Sequence, residues 1–321
     1  MIIHHLFALS IAVLIDLVVG DPPNWPHPVK WMGSFIYKLD KALNHGRSRK
    51  VKGAVMLLVV LAVAGGISFL IVSFLYKLHL IAGILGEAIL ISTAIAQKSL
   101  KEAALTVYDP LNRGDLNEAR HKLSYIVGRD TDQLDEPEIV RAAVETVAEN
   151  TSDGITAPLF WALIGGAPIA IIYRAINTCD SMVGYRNDKY GEFGWASARL
   201  DDVVNWIPSR LTSFCKLVVN RPVHISSKQA WRTVFRDAKK HPSPNSGWGE
   251  AAVAAILGIQ LGGINTYKGM VSNRATMGDP LVTLEKNHIL QTNRIVTRTI
   301  PIFLCLLWIG GILIEMAFTW F

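Results

Sequence analysis

Residues Gly53 to Tyr76 run for 24 positions without a charged side chain. About 20 apolar residues are enough for a helix to cross the hydrocarbon core of a bilayer. This one stretch therefore places the chain among integral membrane proteins. The whole agrees with the part: half of the 321 residues are hydrophobic and the mean hydropathy is positive, which soluble domains of this size rarely sustain.

Three further spans are expected. Thr299 to Ile314 is uncharged and leads into Glu315; Trp308, Phe318, Trp320 and Phe321 suit an interfacial anchor, giving a span over about 299–318. Leu78 to Ala96 is apolar apart from Glu87, and Leu6 to Gly20 apart from Asp16, giving spans near 78–97 and 6–20. An ionisable group within a span is costly, so Asp16 and Glu87 are functional candidates. The first segment is read as retained, because His4 and His5 replace a basic n-region and Gly20-Asp21-Pro22-Pro23 is no cleavage site.

The stretches 154–175, 203–219 and 251–267 are apolar but interrupted. The first holds Pro158, Pro168 and the pair Gly165-Gly166; the second holds Asn205, Pro208 and Arg210; the third is rich in Ala and Gly. Each is expected to be buried, re-entrant or spanning. No stretch shows sustained alternation of period two, so every regular element is expected to be helical. The expected fold is all-α: one membrane-embedded domain over 1–321, a polytopic helical bundle. Its amphipathic, broken or re-entrant helices form a polar cavity facing the cytosol.

Charge sets the orientation. Lys38 to Lys52 holds six Lys/Arg and one Asp, and Lys216 to Lys240 holds seven and one. Both read as cytosolic loops. The net charge of +6 fits such loops near anionic lipid. No basic run is long or interleaved with aromatics, which argues against nucleic acid as a partner. Cys179, Cys215 and Cys305 show no paired or ligand spacing and read as free thiols, not a zinc site.

The polar residues gather in four clusters. The first is Gly20-Asp21-Pro22 with His27-Pro28-Val29, where Asp21 and His27 are an acid/base or metal pair, or turn and cap residues. The second begins with the capping box Asp135-Glu136-Pro137-Glu138. It continues along one helix face through Arg141, Glu145 and Glu149 and is expected to stop at Asn150-Thr151-Ser152-Asp153-Gly154. The third runs from Arg174, Asn177, Asp180 and Ser181 to Tyr185, Arg186, Asn187, Asp188, Lys189 and Tyr190. It goes on to Arg199, Asp201, Asp202, Asn205 and Arg210. The fourth is His241-Pro242-Ser243-Pro244-Asn245-Ser246, where Asn245 or Ser246 is positioned to cap the next helix. Phosphate-loop, HExxH, GxSxG and strand-anchored GxGxxG signatures are absent from the chain.

These four clusters, in this order, resemble the CobD/CbiB family of cobalamin biosynthesis. The resemblance rests on Gly20-Asp21-Pro22, His27-Pro28-Val29, Glu149 to Gly154, the run Ala175 to Arg210, and His241 to Asn245, and covers nearly the whole chain. It implies an enzyme of the bacterial or archaeal inner membrane, adenosylcobinamide-phosphate synthase. Such an enzyme joins adenosylcobyric acid to (R)-1-amino-2-propanol O-phosphate through an amide, with ATP as co-substrate and Mg2+. Its product passes to later cobalamin-assembly enzymes.

An amide forms from a carboxylate only after activation, and an acyl phosphate made from ATP requires carboxylates for magnesium and cations for phosphate. On residue type and motif membership, Glu149, Asp153 and Asp180 are assigned to magnesium, with Asp188, Asp201 and Asp202 as alternatives. Arg174, Arg186, Lys189, Arg199 and Arg210 are assigned to phosphates. His27 or His241 takes the ammonium proton. Asp21, Asn150, Asn177, Ser181, Tyr190 and Asn245 complete the binding set. The rivals are a transporter, since Asp16, Glu87 and Arg210 lie in apolar stretches, and a non-catalytic scaffold for corrinoids.

ATP is cytosolic, so 154–175 and 203–219 are expected not to carry 177–202 outside. A cysteine introduced within 187–192 should be labelled from the cytosolic side; labelling from the external side alone would overturn this topology.

Overall fold

In chain order the helices are α1 (Ile2–Val18), α2 (Pro28–Leu43), α3 (Arg49–Leu78), α4 (Leu80–Ser92), α5 (Gln97–Asn112), α6 (Leu116–Ser124) and α7 (Glu136–Thr151). A π-helical turn (Ser152–Thr156) leads into α8 (Ala157–Val183), followed by α9 (Trp195–Val204), α10 (Trp206–Val219) and α11 (Ser227–Asp237). After α12 (Ser246–Leu257) come strands β1 (Leu261–Tyr267) and β2 (Met270–Met277), then α13 (Asn287–Thr319). This computed structural model describes residues 1–22 and 25–319. Pro23, Trp320 and Phe321 lie outside the described residues, as does the side chain of Phe318.

Among the described residues, four helical segments are long and apolar enough to cross a membrane: Arg49–Leu78, Leu80–Asn112, Glu136–Val183 and Asn287–Ala317. They contain the stretches expected at 53–76 and 154–175 and most of those at 78–97 and 299–318. The α1 helix is shorter, at 17 residues, or about 25 Å at 1.5 Å per residue. The 203–219 stretch breaks at Asn205 into α9 and α10. The 251–267 stretch is the end of α12 followed by β1. Trp308 does not stand free as an anchor: its indole N–H donates to Ser10 Oγ at 3.0 Å and its ring meets Phe7 edge-on.

The chain forms two compact units. The first comprises Met1–Lys98, Asp153–Asn205 and the C-terminal residues from Leu304; the second comprises Ser99–Ser152 and Trp206–Phe303.

In the first unit α3 packs against α4, α8 and α9, and α1 lies along α4. The α8 helix is broken at Gly165 (φ −151°) and Gly166 (φ 64°), just before Pro168. The N–H of Ala167 that the break frees donates to Glu87 at 2.9 Å. Glu87 also accepts from Tyr76 Oη at 2.7 Å and meets His5 Nδ1 at 2.9 Å. Asp16 accepts from the N–H groups of Gln97 (2.8 Å) and Lys98 (3.3 Å), and so caps the start of α5 from outside it. Lys98 Nζ in turn donates to the carbonyls of Val18 and Val19 at the end of α1, at 2.8 and 3.2 Å. Both carboxylates singled out within apolar stretches thus hold helix backbone.

In the second unit α7 opens with the expected capping box, Asp135 with Glu138. The helix does not stop at Gly154 as expected. The polar run is absorbed by the π-helical turn, which carries the backbone on into α8. The antiparallel β1–β2 hairpin corrects the all-helical expectation. Lys268 (φ 51°) and Gly269 (φ 77°) form a two-residue turn of the kind that joins tight hairpins. Asp130 accepts both their N–H groups at 2.9 and 2.8 Å. A register shift between Leu261 and Gly263 breaks the alternation that would have marked β1 in the sequence.

At Gly166 the left-handed backbone and the adjacent Glu87 carboxylate together exclude a side chain. Gly166→Ala should cost about 2 kcal/mol or more and lower the thermal midpoint in detergent. An unchanged midpoint would show that the break relaxes.

Candidate active site

The densest polar centre lies in the first unit. The α8 helix continues past its break and sets Tyr173, Arg174, Asn177, Asp180 and Ser181 on successive turns. The α9 helix brings Asp201 and Asp202. Asp201 is nearly buried at 9% exposure. It accepts from Asn205 Nδ2 at 3.0 Å and faces Asn177 Nδ2 at 3.4 Å. Tyr173 Oη donates to Asn205 Oδ1 at 2.7 Å and reaches the Asp153 carbonyl at 3.2 Å. Burial, then the neighbouring charge of Asp180, pushes the Asp201 carboxyl up to about 7. Arg174 feels the charges of Asp21 and Asp153. Its Nη1 is 3.4 Å from Asn177 Oδ1, and its buried Nε has no partner. Ser181 Oγ bonds back to the Asn177 carbonyl at 2.8 Å.

His27 caps α2: its Nδ1 accepts from the Val29 N–H at 3.3 Å. The ring proton is thereby placed on Nε2, which lies 3.0 Å from Asp21 Oδ1.

The segment 184–202 forms an open polar cleft of about 490 Å³, lined among others by Arg186, Asp188, Tyr190, Arg199 and Asp202. Burial raises the Asp202 carboxyl, and the guanidiniums of Arg199 and Arg186 oppose that rise. Lys189 and Tyr190 also belong to this segment but turn to α2. Lys189 Nζ lies 3.5 Å from Asp40, and Tyr190 Oη donates to the same carboxylate at 3.1 Å. Asn44 and Arg49 hold the backbone carbonyls of Asp188 and Lys189. The two residues therefore moor the loop. At its far end Gly194 passes so close to the Val183 carbonyl that a Cβ would overlap it.

The second unit has a centre of its own. Glu145 pairs with Arg129 and accepts from the Gly262 N–H at 2.7 Å. Arg141 donates to the Gly262 and Ile264 carbonyls. These two residues of the charged α7 stripe hold β1. Glu149 instead accepts from Ser246 Oγ at 2.7 Å, so Ser246 spends its hydroxyl there and not on capping α12. Glu250, 2% exposed, is raised well above the usual carboxylate range by burial and by the charges of Glu145 and Glu149. His241 is lowered by burial, against the pull of Glu149. Its Nδ1 accepts from the Ser243 N–H at 3.0 Å, and Nε2 lies 3.4 Å from Glu250. Both shifts run toward the neutral forms.

Arg210 lies between the rings of Trp206 (4.2 Å) and Trp248 (4.9 Å), with Asn245 Oδ1 at 3.4 Å. Asn150 bonds back to the Thr146 carbonyl at 2.9 Å.

The predicted set thus divides. Asp21, His27, Asp153, Arg174, Asn177, Asp180, Ser181, Arg186, Asp188, Lys189, Tyr190, Arg199, Asp201 and Asp202 fall in the first unit. Glu149, Asn150, Arg210, His241 and Asn245 fall in the second. Sequence reasoning gave no role to four residues that the structure brings into these centres: Tyr173, Asn205 (named only as a member of the third cluster and of the 203–219 stretch), Glu250 and Lys216. Lys216 is fully buried, and its Nζ donates to the Ala148 carbonyl at 2.8 Å. A lysine or glutamate within an apolar helix is the signal that would have found the last two. Among the described residues no three His, Cys, Asp or Glu side chains form a ready metal-ligand group. The three cysteines are free.

Bilayer-length helices and buried polar centres define this as a helical membrane-type protein. More narrowly, the chain belongs to the CobD/CbiB family, whose pattern, described as CobD/Cbib protein, matches residues 9–296. A protein of Halalkalibacterium halodurans named "Cobalamin biosynthesis protein CobD" is 53% identical over 312 residues, covering 97% of this chain and 98% of that protein. Proteins of the same name are 49% identical in Geobacter metallireducens (85% and 86% covered) and 45% in Klebsiella pneumoniae (90% and 92%). No solved structure matches the chain.

The raised Asp201 carboxyl has a consequence for stability. Between its unfolded value near 4 and its folded value of about 7, the folded chain binds the extra proton. Stability contributed by this group is therefore present at the acid end and lost as pH rises through 7. Asp201→Asn should flatten that part of the stability–pH profile; an unchanged slope would remove Asp201 as its source.

Proposed function

We propose that the protein acts in cobalamin biosynthesis as adenosylcobinamide-phosphate synthase. The reaction is ATP-dependent amide formation between adenosylcobyric acid and (R)-1-amino-2-propanol O-phosphate, at a cytosol-facing site of the inner membrane. Family membership supports the pathway. The observation that carries the chemistry is the presence, in one unit, of a buried Asp201 carboxyl that feels the charge of Asp180 and of three arginines, Arg174 beside Asp21 and Asp153 and Arg186 and Arg199 at one polar cavity.

The carboxylate pair fits a magnesium ion. Mg2+ keeps several waters and takes one or two carboxylates together with substrate phosphates, so a three-residue cage is not required. Burial first and the charge of Asp180 second lift Asp201, and a cation would offset both. Asp180 and Asp201 would hold the ion, which when bound supplies charge neutralisation on the triphosphate.

The other roles fall to this chain's own side chains. Arg186 and Arg199, in the cavity, bind phosphate oxygens bidentately. Arg174 offers its unpartnered Nε to the charge that develops on the transferred phosphoryl group. The corrinoid carboxylate attacks the γ-phosphorus and ADP leaves. The amine nitrogen then attacks the acyl carbon, the C–N bond forms and phosphate departs. Before that attack the ammonium must lose a proton. The Asp21–His27 pair, whose charge reaches Arg174, is its acceptor: the proton enters at the Asp21 carboxylate while His27 Nε2–H holds that group in place.

Transport is the weaker reading, because the carboxylates that suggested a substrate path, Asp16 and Glu87, are engaged by helix backbone.

The test is turnover by purified, detergent-solubilised protein given adenosylcobyric acid, aminopropanol phosphate, ATP and magnesium. The expected product mass is the sum of the two substrates minus water, formed only with ATP. Arg186→Ala and Asp180→Asn should each lower kcat by about 10²-fold or more. A folded protein that binds corrinoid but yields no product would replace the ligase with a transporter or scaffold.

A further inference from the structure

The second unit carries an apolar face that its own packing leaves uncovered. Along α10, Ile207, Leu211, Phe214 and Val218 recur at intervals of four, three and four residues. They form one stripe on a helix of 14 residues, too short to cross a bilayer. Phe214 is 46% exposed and Val218 56%. The opposite face of the same helix, with Thr212, Ser213, Cys215 and Lys216, is buried, so the polarity is inverted relative to a helix that faces water.

The stripe continues onto α11. The Phe214 and Trp231 rings lie 5.7 Å apart, and Trp231 stacks on Phe235 at 6.2 Å. Phe235 is 59% exposed. Beside these aromatics Lys228, Arg232 and Arg236 repeat every four residues, all exposed. The only acid between 216 and 240, Asp237, is buried and paired with Arg236 and Lys240. Arg236 is also paired with the exposed Asp279, so Lys228 and Arg232 supply the positive border; an aromatic patch edged by such cations is the pattern of a helix pair lying in a membrane interface.

We propose that the α10–α11 face is a monotopic docking surface, seated in the headgroup region of an anionic phospholipid bilayer. The occupant is argued from charge and from tethering. The basic side chains complement the negative surface of anionic lipid. A chain with four helices long enough to cross a membrane also presents this face to lipid at high effective concentration. Leu211 and Phe214 enter the acyl boundary, Trp231 sits at the carbonyl level, and Lys228 and Arg232 meet lipid phosphates, while Arg236 stays with Asp237 and Asp279. The inference stands independently of the ligase reading.

The experiment uses the full chain in lipid nanodiscs, with Cys305→Ala removing the exposed native thiol. Nitroxide labels are placed through Val218→Cys or Phe235→Cys. The discs hold phosphatidylcholine alone or with phosphatidylglycerol. Collision of each label with oxygen is compared with collision with a water-soluble nickel chelate. The expected result is preferential access by oxygen at both positions. It should be stronger with phosphatidylglycerol and reduced by Lys228→Glu with Arg232→Glu. Equal access by the nickel chelate in both lipids would overturn the proposal. So would labels shielded from both reagents and broadened by a neighbouring label, which would mean that a second copy of the chain covers the face.

Discussion

A helix that leaves its hydrogen-bond ladder inside a bilayer has no water to satisfy the N–H groups it frees, so protein must supply the acceptors. The α8 helix breaks at Gly165–Gly166, and Glu87 from α4 answers by accepting from Ala167. Asp16 does the same for the start of α5. Each carboxylate sits in an apolar helix for a structural reason that concerns another helix. The break in turn lets one chain segment serve two purposes: its first half packs as an apolar helix, and its second half carries the polar row from Tyr173 to Ser181.

That row is useful only if its neighbours are held in place. The loop after α8 is moored at both ends. Asp40, Asn44 and Arg49 hold the Asp188–Tyr190 segment, and Gly194 allows the chain to return against the Val183 carbonyl. Between these moorings Arg186, Arg199 and Asp202 face one cavity. Lys189 and Tyr190 tie the loop to Asp40, and Tyr190 also lines the cavity; a loop held in this way favours sites that must hold charged groups in a fixed geometry.

The two units treat buried charge differently. In the first, burial and the charge of Asp180 raise the Asp201 carboxyl to about 7. In the second, Glu145 is fully matched by Arg129 and the Gly262 N–H, whereas Glu250 and His241 are shifted toward neutral forms. Matched charge holds β1 to α7; unmatched charge marks the groups able to change protonation.

The sequence by itself determined the membrane class, the long apolar helices, the capping box of α7 and the family, because these depend on local pattern. An uncharged run of 24 residues or a Pro-rich polar motif carries its meaning in a short window. It also named most of the residues that line the polar centres. What only the tertiary structure decided was which of them are free for chemistry. Glu87 and Asp16 look functional by position, yet they are consumed by backbone groups distant in the chain. Arg210 is placed between the rings of Trp206 and Trp248, contacts that no local pattern around it announces. The β1–β2 hairpin escaped because a bulge at Gly262–Gly263 erases the alternation that signals a strand. A side chain's partners are fixed by long-range packing, and no local pattern encodes them.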